Sequence, residues 1–286
     1  MLSTAEVLAF STFGFIVLRD AFDPGPLAEE VDRSLREGAS AWSAAGAGGT
    51  EFRYVPLMCE RTPLSLSLLD RFAPLAAQLL RRPVLPVRAK GVSYLGATDW
   101  HSDSGRDVAS VGFVAYLESL GAASGALRVL PGSHRAEFGR AIGEYIQHRA
   151  AAAGTDVEAA VATLPGYSVD TEPGDVIVFD EHLYHASAGG RDRRQWRVDY
   201  VEDPADAELE AKVRAYFAGI YPPDWDGGYD VDRFPSYGEH WRGSALPGTA
   251  RLEQLGVYAA AAAQEGFARR RHADTLASLD DERSGV

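Results

Sequence analysis

The chain of 286 residues holds a single cysteine, Cys59. One thiol excludes a disulfide framework within the chain and a cysteine-based zinc site, and leaves Cys59 to act as a half-buried small hydrophobe. Positive charge is also short: 28 Lys and Arg against 41 Asp and Glu give a formal net charge of −13. A nucleic-acid binder needs a basic surface to displace counterions from phosphate, so that class is excluded. Acidity of this size serves solubility, and at long range it favours neutral or cationic small molecules over polyanions. No run reaches the roughly 18 apolar residues that span a bilayer. The N-terminus has no basic segment ahead of an apolar core, and Glu6 interrupts the first apolar run. A cytoplasmic protein without a signal peptide or membrane partner is therefore expected. With 46% hydrophobic and 24% charged residues, the composition is that of an ordinary globular chain. Neither an internal repeat nor a linker divides it. The expectation is one domain over 1–286, with a core at about 84–202 between helical segments 1–83 and 203–286.

The patterns within the chain divide into helix, strands and helix. Ser3 or Thr4 can cap a short helix ending near Phe10, and Gly14 to Leu18 is a short strand-like run. Asp23-Pro24 opens a second helix, with Leu27, Val31 and Leu35 as its buried stripe. Residues 39–53, small and polar with Gly46, Gly48, Gly49 and Thr50, are expected as a mobile loop. Residues 63–80 carry leucines at helical spacing. Strand-like runs follow at Val84–Leu95, Val108–Leu117, Ala126–Leu130, Tyr167–Thr171, Asp175–Phe179 and Gln195–Val201, interrupted by an alanine-rich helical insert at 136–151. Pro131-Gly132 and Glu172-Pro173-Gly174 mark turns. Many short strands separated by turns predict a sandwich, jelly roll or barrel. Helices return at Ala205–Phe217 and Arg251–Leu279, separated by a loop rich in aromatics: Tyr221, Trp225, Tyr229, Phe234, Tyr237 and Trp241. These rings either cover the barrel mouth or anchor the loop to the body, and anchoring is the expected role.

The chemistry-bearing stretch is Trp100-His101-Ser102-Asp103. On an extended chain, residues two apart share a face, so His101 and Asp103 can reach one metal ion. One imidazole and one carboxylate are two-thirds of the facial triad that holds non-haem Fe(II) with positions left open. A third ligand is available after the strand-like run at 175–179, where His182 and His185 precede the small residues Ala186 and Ser187.

Four segments together resemble the phytanoyl-CoA dioxygenase family of Fe(II)/2-oxoglutarate-dependent oxygenases. They are Phe13 to Phe22, Trp100 to Asp103, the stretch Gly125-Ala-Leu-Arg-Val-Leu-Pro131-Gly132-Ser133-His134, and Pro173 to Ser187. The resemblance covers about residues 10–202. It implies a mainly β double-stranded β-helix, or jelly roll, with flanking helices. It also implies Fe(II) ligated by His101, Asp103 and His185, with 2-oxoglutarate and O₂ on the open positions. The family pattern places the distal ligand directly before the small residues, which selects His185 over His182. His134 is expected to be structural, and His148, His240 and His272 to lie at the surface. Two neutral imidazoles and one carboxylate leave Fe(II) a net positive charge that suits a dianionic keto acid. Retention of Asp103 argues against halogenation, because halogenating relatives carry a small residue there.

The co-substrate's far carboxylate calls for an arginine, which the family supplies from the strand after the distal histidine. Three candidates stand there. Arg193 and Arg197 share a strand face that can point inward, opposite Trp196, Val198 and Tyr200. Alignment on the strand favours Arg193 or Arg194, whereas spacing from His185 favours Arg197, which is ranked first, followed by Arg194 and Arg193. The implied activity is oxidation of an unactivated C–H bond of a small molecule, by hydroxylation or oxidative cyclisation, with release of succinate and CO₂. Ala, Gly and Arg richness leans the substrate towards a specialised metabolite. Substrate contacts are expected within 39–60, 104–108 and 221–242. The alternatives are a catalytically inactive jelly-roll module for sugar or ligand binding, and a cupin-like metalloenzyme that does not use 2-oxoglutarate.

Overall fold

The computed structural model describes residues 1–284 apart from 41–42, 46–49, 106, 154–155, 222–227 and 245–247. Gly46, Gly48, Gly49 and Trp225 thus lie outside the described residues.

The N-terminal third forms as its local signals dictate. Helix α1 (Thr4–Phe13) starts at a capping box between Ser3 and Glu6 and ends at Gly14 in the left-handed region. Strand β1 (Phe15–Leu18) follows. Helix α2 (Pro24–Gly38) begins where the Asp23 carboxylate accepts the Gly25 N–H, and it buries Leu27, Val31 and Leu35. Helix α3 (Pro63–Leu80) has no side-chain cap of its own. Its N-terminus is instead closed by Glu30 of α2. That buried carboxylate accepts the N–H groups of Leu64 and Ser65 and the Ser65 hydroxyl at 2.7–2.9 Å, a favourable place for negative charge.

Two antiparallel sheets make the body. The larger joins β1 and the later strands β2 (Ser43–Ala45), β3 (Thr50–Pro56), β4 (Val84–Leu95), β6 (Ser110–Tyr116), β9 (Val176–Asp180) and β11 (Arg193–Glu202), in the order β1-β9-β6-β11-β4-β3-β2. The smaller contains β5 (Thr98–His101), β7 (Leu127–Val129), β8 (Tyr167–Val169) and β10 (His185–Ser187), in the order β5-β10-β7-β8. This is a jelly roll with flanking helices. Val114, Tyr116, Leu127, Val129, Ile177 and Phe179 form a core cluster from strands of both sheets.

The outer face of the large sheet packs against helices. Trp196 donates its indole N–H to Ser65 Oγ at 3.0 Å, and the Tyr200 hydroxyl bonds to the Leu69 carbonyl, both on α3. Phe72 of the same helix stacks on Phe113 at 5.1 Å. The expected outward face of Trp196, Val198 and Tyr200 is therefore the one observed, and all three are fully buried. Beyond β7, α4 (Ala136–Ala153) and α5 (Val157–Ala162) form the helical insert. The C-terminal part comprises α6 (Ala207–Ile220), α7 (Glu239–Arg242), α8 (Thr249–Gln254) and α9 (Val257–Ser284). No described helix is long and apolar enough to cross a membrane.

Two expectations need correction. The segment 39–53 is not simply a loop: β2 and β3 pair across it, and β3 pairs with β4. The alternation of Phe52 and Tyr54 with Glu51 and Arg53 carried that strand signal. The large sheet accordingly takes three of its strands from residues ahead of 84, so the N-terminal part is more than a helical wrapping. The aromatic segment after α6 anchors rather than covers: Tyr229, Phe234, Tyr237 and Trp241 are buried, and Tyr237 bonds to the Val87 carbonyl. Cys59 is fully buried rather than half-buried.

Candidate active site

The two histidines meet because β5 and β10 are neighbours in the small sheet, with His101 opposite His185 in register. Asp103 lies just past the end of β5 and is fixed there by its backbone: the N–H groups of Asp103 and Ser104 both donate to the Glu181 carbonyl, at 2.9 and 3.1 Å. One ligand atom from each of His101, Asp103 and His185 lies within 4.8 Å of the others.

The orientation of the rings is settled by hydrogen bonds. His101 Nδ1 is 2.7 Å from the Asp99 carbonyl, and His185 Nδ1 is 2.9 Å from the Leu183 carbonyl. A carbonyl only accepts, so both Nδ1 atoms carry the proton. In the neutral ring each Nε2 then keeps a lone pair, the arrangement that fixes a metal-ligating imidazole. The Nε2 atoms face the two oxygens of Asp103 at 3.6 and 3.5 Å. Burial, with His101 beside it, holds the His185 pKa down at about 4, so this ring is neutral, as a ligand must be. Two imidazole nitrogens and a carboxylate oxygen gathered on one side match the donor set of a 2-His-1-carboxylate metal site.

His182 is spent elsewhere. Its Nδ1 meets Asp180 at 2.5 Å and its Nε2 meets the Gly105 carbonyl at 2.8 Å. Burial disfavours the charged ring, but the Asp180 carboxylate and the Gly105 carbonyl raise its pKa. With both nitrogens engaged, His182 braces the 103–105 turn from below. His134 Nε2 donates to the Ser11 carbonyl at 3.3 Å, and its ring packs against Gly14. His148 and His240 are exposed, whereas His272 is half-buried and meets Ser40 Oγ at 2.8 Å.

The three arginines have three different environments. Arg194 turns outward and pairs with Asp32 and Glu118 at 2.7 and 3.2 Å, away from the triad. Arg197 points inward, but carboxylates occupy its whole guanidinium: Nη1 bonds Asp103 at 2.7 Å, Nη2 bonds Glu181 at 2.6 Å and Nε bonds Asp199 at 2.5 Å. It is a structural hub that holds the third ligand in place. Arg193 is also buried, yet it meets no carboxylate among the described residues. Nη1 donates to the Gly125 carbonyl and to Ser187 Oγ, and Nη2 donates to the Gly96 carbonyl, at 2.7–3.2 Å. Its Nε has no partner. Spacing ranks Arg197 first, whereas the arginine that meets no carboxylate among the described residues is Arg193. The short turn before β11 brings Arg193, at the start of that strand, to the level of Ser187.

A cavity of about 100 Å³ connects these groups, lined by His101, Asp103 and His185 at one end and by Ser187, Tyr94 and Arg193 among its other walls. Room for the Arg193 side chain depends on Gly125, whose φ is +91° and where a Cβ would sit 2.5 Å from Arg193 Cδ. A wider cleft of about 580 Å³ reaches Asp103 from outside, between residues 104–108 and the face of α6 bearing Tyr216 and Ile220. A third cavity, of about 200 Å³, lies beside Lys90 and Tyr94 and includes Phe52, Tyr54 and Arg88. Contacts were expected at 39–60 and 104–108, and both segments line these spaces. Among the described residues, α6 takes the place expected of 221–242.

Sequence reasoning missed Lys90, Glu181, Asp199 and Tyr216. Glu181 and Asp199 complete the Arg197 cluster, and Tyr216 donates to Glu181 at 2.8 Å. Burial and the nearby Asp199 carboxylate push Glu181 up to about 7. Arg88, Lys90, Arg197 and Asp199 alternate with apolar residues along β4 and β11, and that period-2 pattern was a usable signal.

The family model for phytanoyl-CoA dioxygenase matches residues 10–195. A search of curated proteins finds no match. Among solved structures, HygX from Streptomyces hygroscopicus, determined with nickel and 2-oxoglutarate bound, is 19% identical; the match covers 73% of this chain and 94% of that one, with a TM-score of 0.54. The non-haem α-ketoglutarate-dependent epimerase SnoN of nogalamycin biosynthesis is 19% identical over 72% of this chain and 87% of that one, at a TM-score of 0.52. The carbocyclase SnoK of the same biosynthesis is 19% identical over 70% and 84%, also at 0.52.

Proposed function

The chain belongs to the phytanoyl-CoA dioxygenase family, and from that premise we propose that it is an Fe(II)/2-oxoglutarate-dependent oxygenase acting on a C–H bond of a small specialised metabolite. One observation carries the assignment of the site: the His101, Asp103 and His185 ligand atoms converge on a cavity that also reaches a buried arginine with no carboxylate of its own. When bound, iron would let O₂ act as the oxidant of both 2-oxoglutarate, which leaves as succinate and CO₂, and an unactivated C–H bond of the substrate. The protein's part is placement. His101 and His185 present Nε2 because backbone carbonyls hold their Nδ1 protons. Arg197 fixes the Asp103 carboxylate and Glu181 steadies Arg197. Arg193 and Ser187 hold the far carboxylate of the keto acid, and Tyr94 lies under the guanidinium at 5.7 Å. The cleft between 104–108 and α6 admits the substrate beside Asp103. The epimerase and carbocyclase similarities favour a metabolite-tailoring reaction, either hydroxylation or ring closure.

The test is succinate formation from 2-oxoglutarate under air with added Fe(II). Wild-type protein is expected to form succinate, and Asp103→Ala to form none above the metal-only control. An inactive binding module, or a metalloenzyme that does not use 2-oxoglutarate, gives no succinate in either sample.

A further inference from the structure

Among the described residues, Lys90 stands apart from the other buried cations. It lies on β4 opposite Arg197 of β11 and is 8% exposed. It borders both the triad cavity and the neighbouring cavity of about 200 Å³. Arg88 is paired with Asp199 at 2.9 Å, and Arg197 with three carboxylates. Among the described residues, the Lys90 ammonium has neither a carboxylate nor a hydrogen-bond partner. A buried ammonium without a partner is costly. Burial, with Arg88 and Arg197 close by, brings its pKa down to about 7.

The charge balance of the site shows what is missing. Arg88, Lys90, Arg193 and Arg197 face Asp103, Glu181 and Asp199. On the function proposed above, Fe(II) and the 2-oxoglutarate dianion cancel one another. One positive charge then remains, and Lys90 is the group that no carboxylate answers. Phe52, Tyr54, Val92, Tyr94 and Ile220 form the aromatic and apolar walls of its cavity, and Arg88, already paired with Asp199, and Gln264 are the other polar groups on it. Ile220 also lines the wide cleft, so the cavity and the cleft adjoin.

We propose that Lys90 is the substrate-recognition residue, and that the primary substrate carries a carboxylate held by Lys90 with an aromatic or apolar body against Phe52, Tyr54 and Tyr94. The lysine borders the triad cavity, so a carboxylate held there places the adjoining carbons beside the metal position. The negative charge of the whole chain favours neutral or cationic partners at long range; inside the site the local balance is the reverse. This proposal rests on the oxygenase assignment.

The chain has only two lysines, Lys90 and Lys212. Lys212 is paired with Glu208 at 2.7 Å and lines the wide cleft, so lysine-selective ¹³Cε labelling gives two signals, and Lys212→Arg both assigns them and leaves Lys90 as the one signal read in a repeat titration. The experiment loads the protein with Zn(II) and saturating 2-oxoglutarate, verified by calorimetry, and then titrates phenylacetate and phenylacetamide. Phenylacetate is expected to move the Lys90 signal saturably and to bind about tenfold or more tightly than the amide. In Lys90→Met that preference is lost, while 2-oxoglutarate affinity stays within about threefold. Equal binding of acid and amide, or a Lys90 signal indifferent to phenylacetate, overturns the proposal. So does a Lys90 signal that responds to 2-oxoglutarate itself and not to phenylacetate, since the lysine would then serve the co-substrate. Absence of 2-oxoglutarate binding removes the oxygenase assignment, and this proposal with it. Co-substrate binding with an indifferent Lys90 overturns this proposal alone.

Discussion

Arg193→Gln and Arg197→Gln are expected to fail in different ways. Arg193 is buried, donates to two carbonyls and a hydroxyl, and meets no carboxylate among the described residues. On the proposed assignment, removing its charge deprives 2-oxoglutarate of its buried partner. Breaking a buried, hydrogen-bonded charge pair costs about 3–5 kcal/mol, and each 1.4 kcal/mol is about tenfold in affinity. The 2-oxoglutarate Kd of Arg193→Gln should therefore rise by about two to three orders of magnitude, with metal binding retained. Arg197→Gln removes the cation shared by Asp103, Glu181 and Asp199, leaving Asp199 with Arg88 and Glu181 with the Tyr216 hydroxyl. The same cost then falls on the fold, lowering Tm by about 6–20 °C for a chain of this size, and metal affinity falls because Asp103 loses its brace. The assay is calorimetric titration of the Zn(II)-loaded variants with 2-oxoglutarate, alongside metal content and Tm. The reasoning is refuted if Arg193→Gln binds 2-oxoglutarate within about threefold of wild type. It is equally refuted if Arg197→Gln keeps normal metal content and Tm but loses 2-oxoglutarate.

Three further outcomes follow from the same contacts. Gly125→Ala places a Cβ 2.5 Å from Arg193 Cδ at a φ of +91°; it should weaken 2-oxoglutarate binding about tenfold or more while leaving Zn(II) binding unchanged, by the same calorimetry. Metal should raise the Tm of the wild type, by an amount that grows with the logarithm of its affinity, and fail to raise that of Asp103→Ala, when EDTA-treated protein is scanned with and without Zn(II). Asp175 is buried, which by itself raises its pKa, but the N–H groups of Glu172 and Asp20 and the Arg19 guanidinium hold it below the usual carboxylate range. Its contribution is complete above the unfolded carboxyl pKa of about 3.9 and is lost as pH falls through the lower folded value. Asp175→Asn should cost about 1–2 kcal/mol near neutral pH, mostly through the backbone donors because Arg19 is exposed, and the gap to wild type should close as urea denaturation is repeated below about pH 4.

Much of this architecture was legible from residue order alone, and what escaped had physical causes. The helix at 63–80, the Asp23-Pro24 start and the outward face of Trp196, Val198 and Tyr200 rest on local rules, and the structure keeps them. The hairpin of β2 and β3 escaped because its small and polar residues resemble a loop, and what holds it is pairing to β4, a contact distant in sequence. His101, Asp103 and His185 were named from motif and resemblance, and the β5–β10 register supplies the reason they meet. The choice among arginines could not be made from spacing, because the turn between His185 and β11 is short and the count from the histidine runs past Arg193. What separates Arg193 from Arg197 is the location of three carboxylates, two of which, Glu181 and Asp199, had not been considered. Lys90 alternates with apolar residues as Arg88 does, and that pattern alone does not tell which face of β4 turns inward.

The most direct test of the oxygenase assignment is an anaerobic titration of the metal-free protein with Fe(II) and then 2-oxoglutarate, followed by the visible charge-transfer absorption of the chelate. Wild-type protein is expected to develop the band, Arg193→Gln to need far more 2-oxoglutarate to reach it, and Asp103→Ala to lose it. Fe(II) binding by the wild type with no band on addition of 2-oxoglutarate would contradict the account.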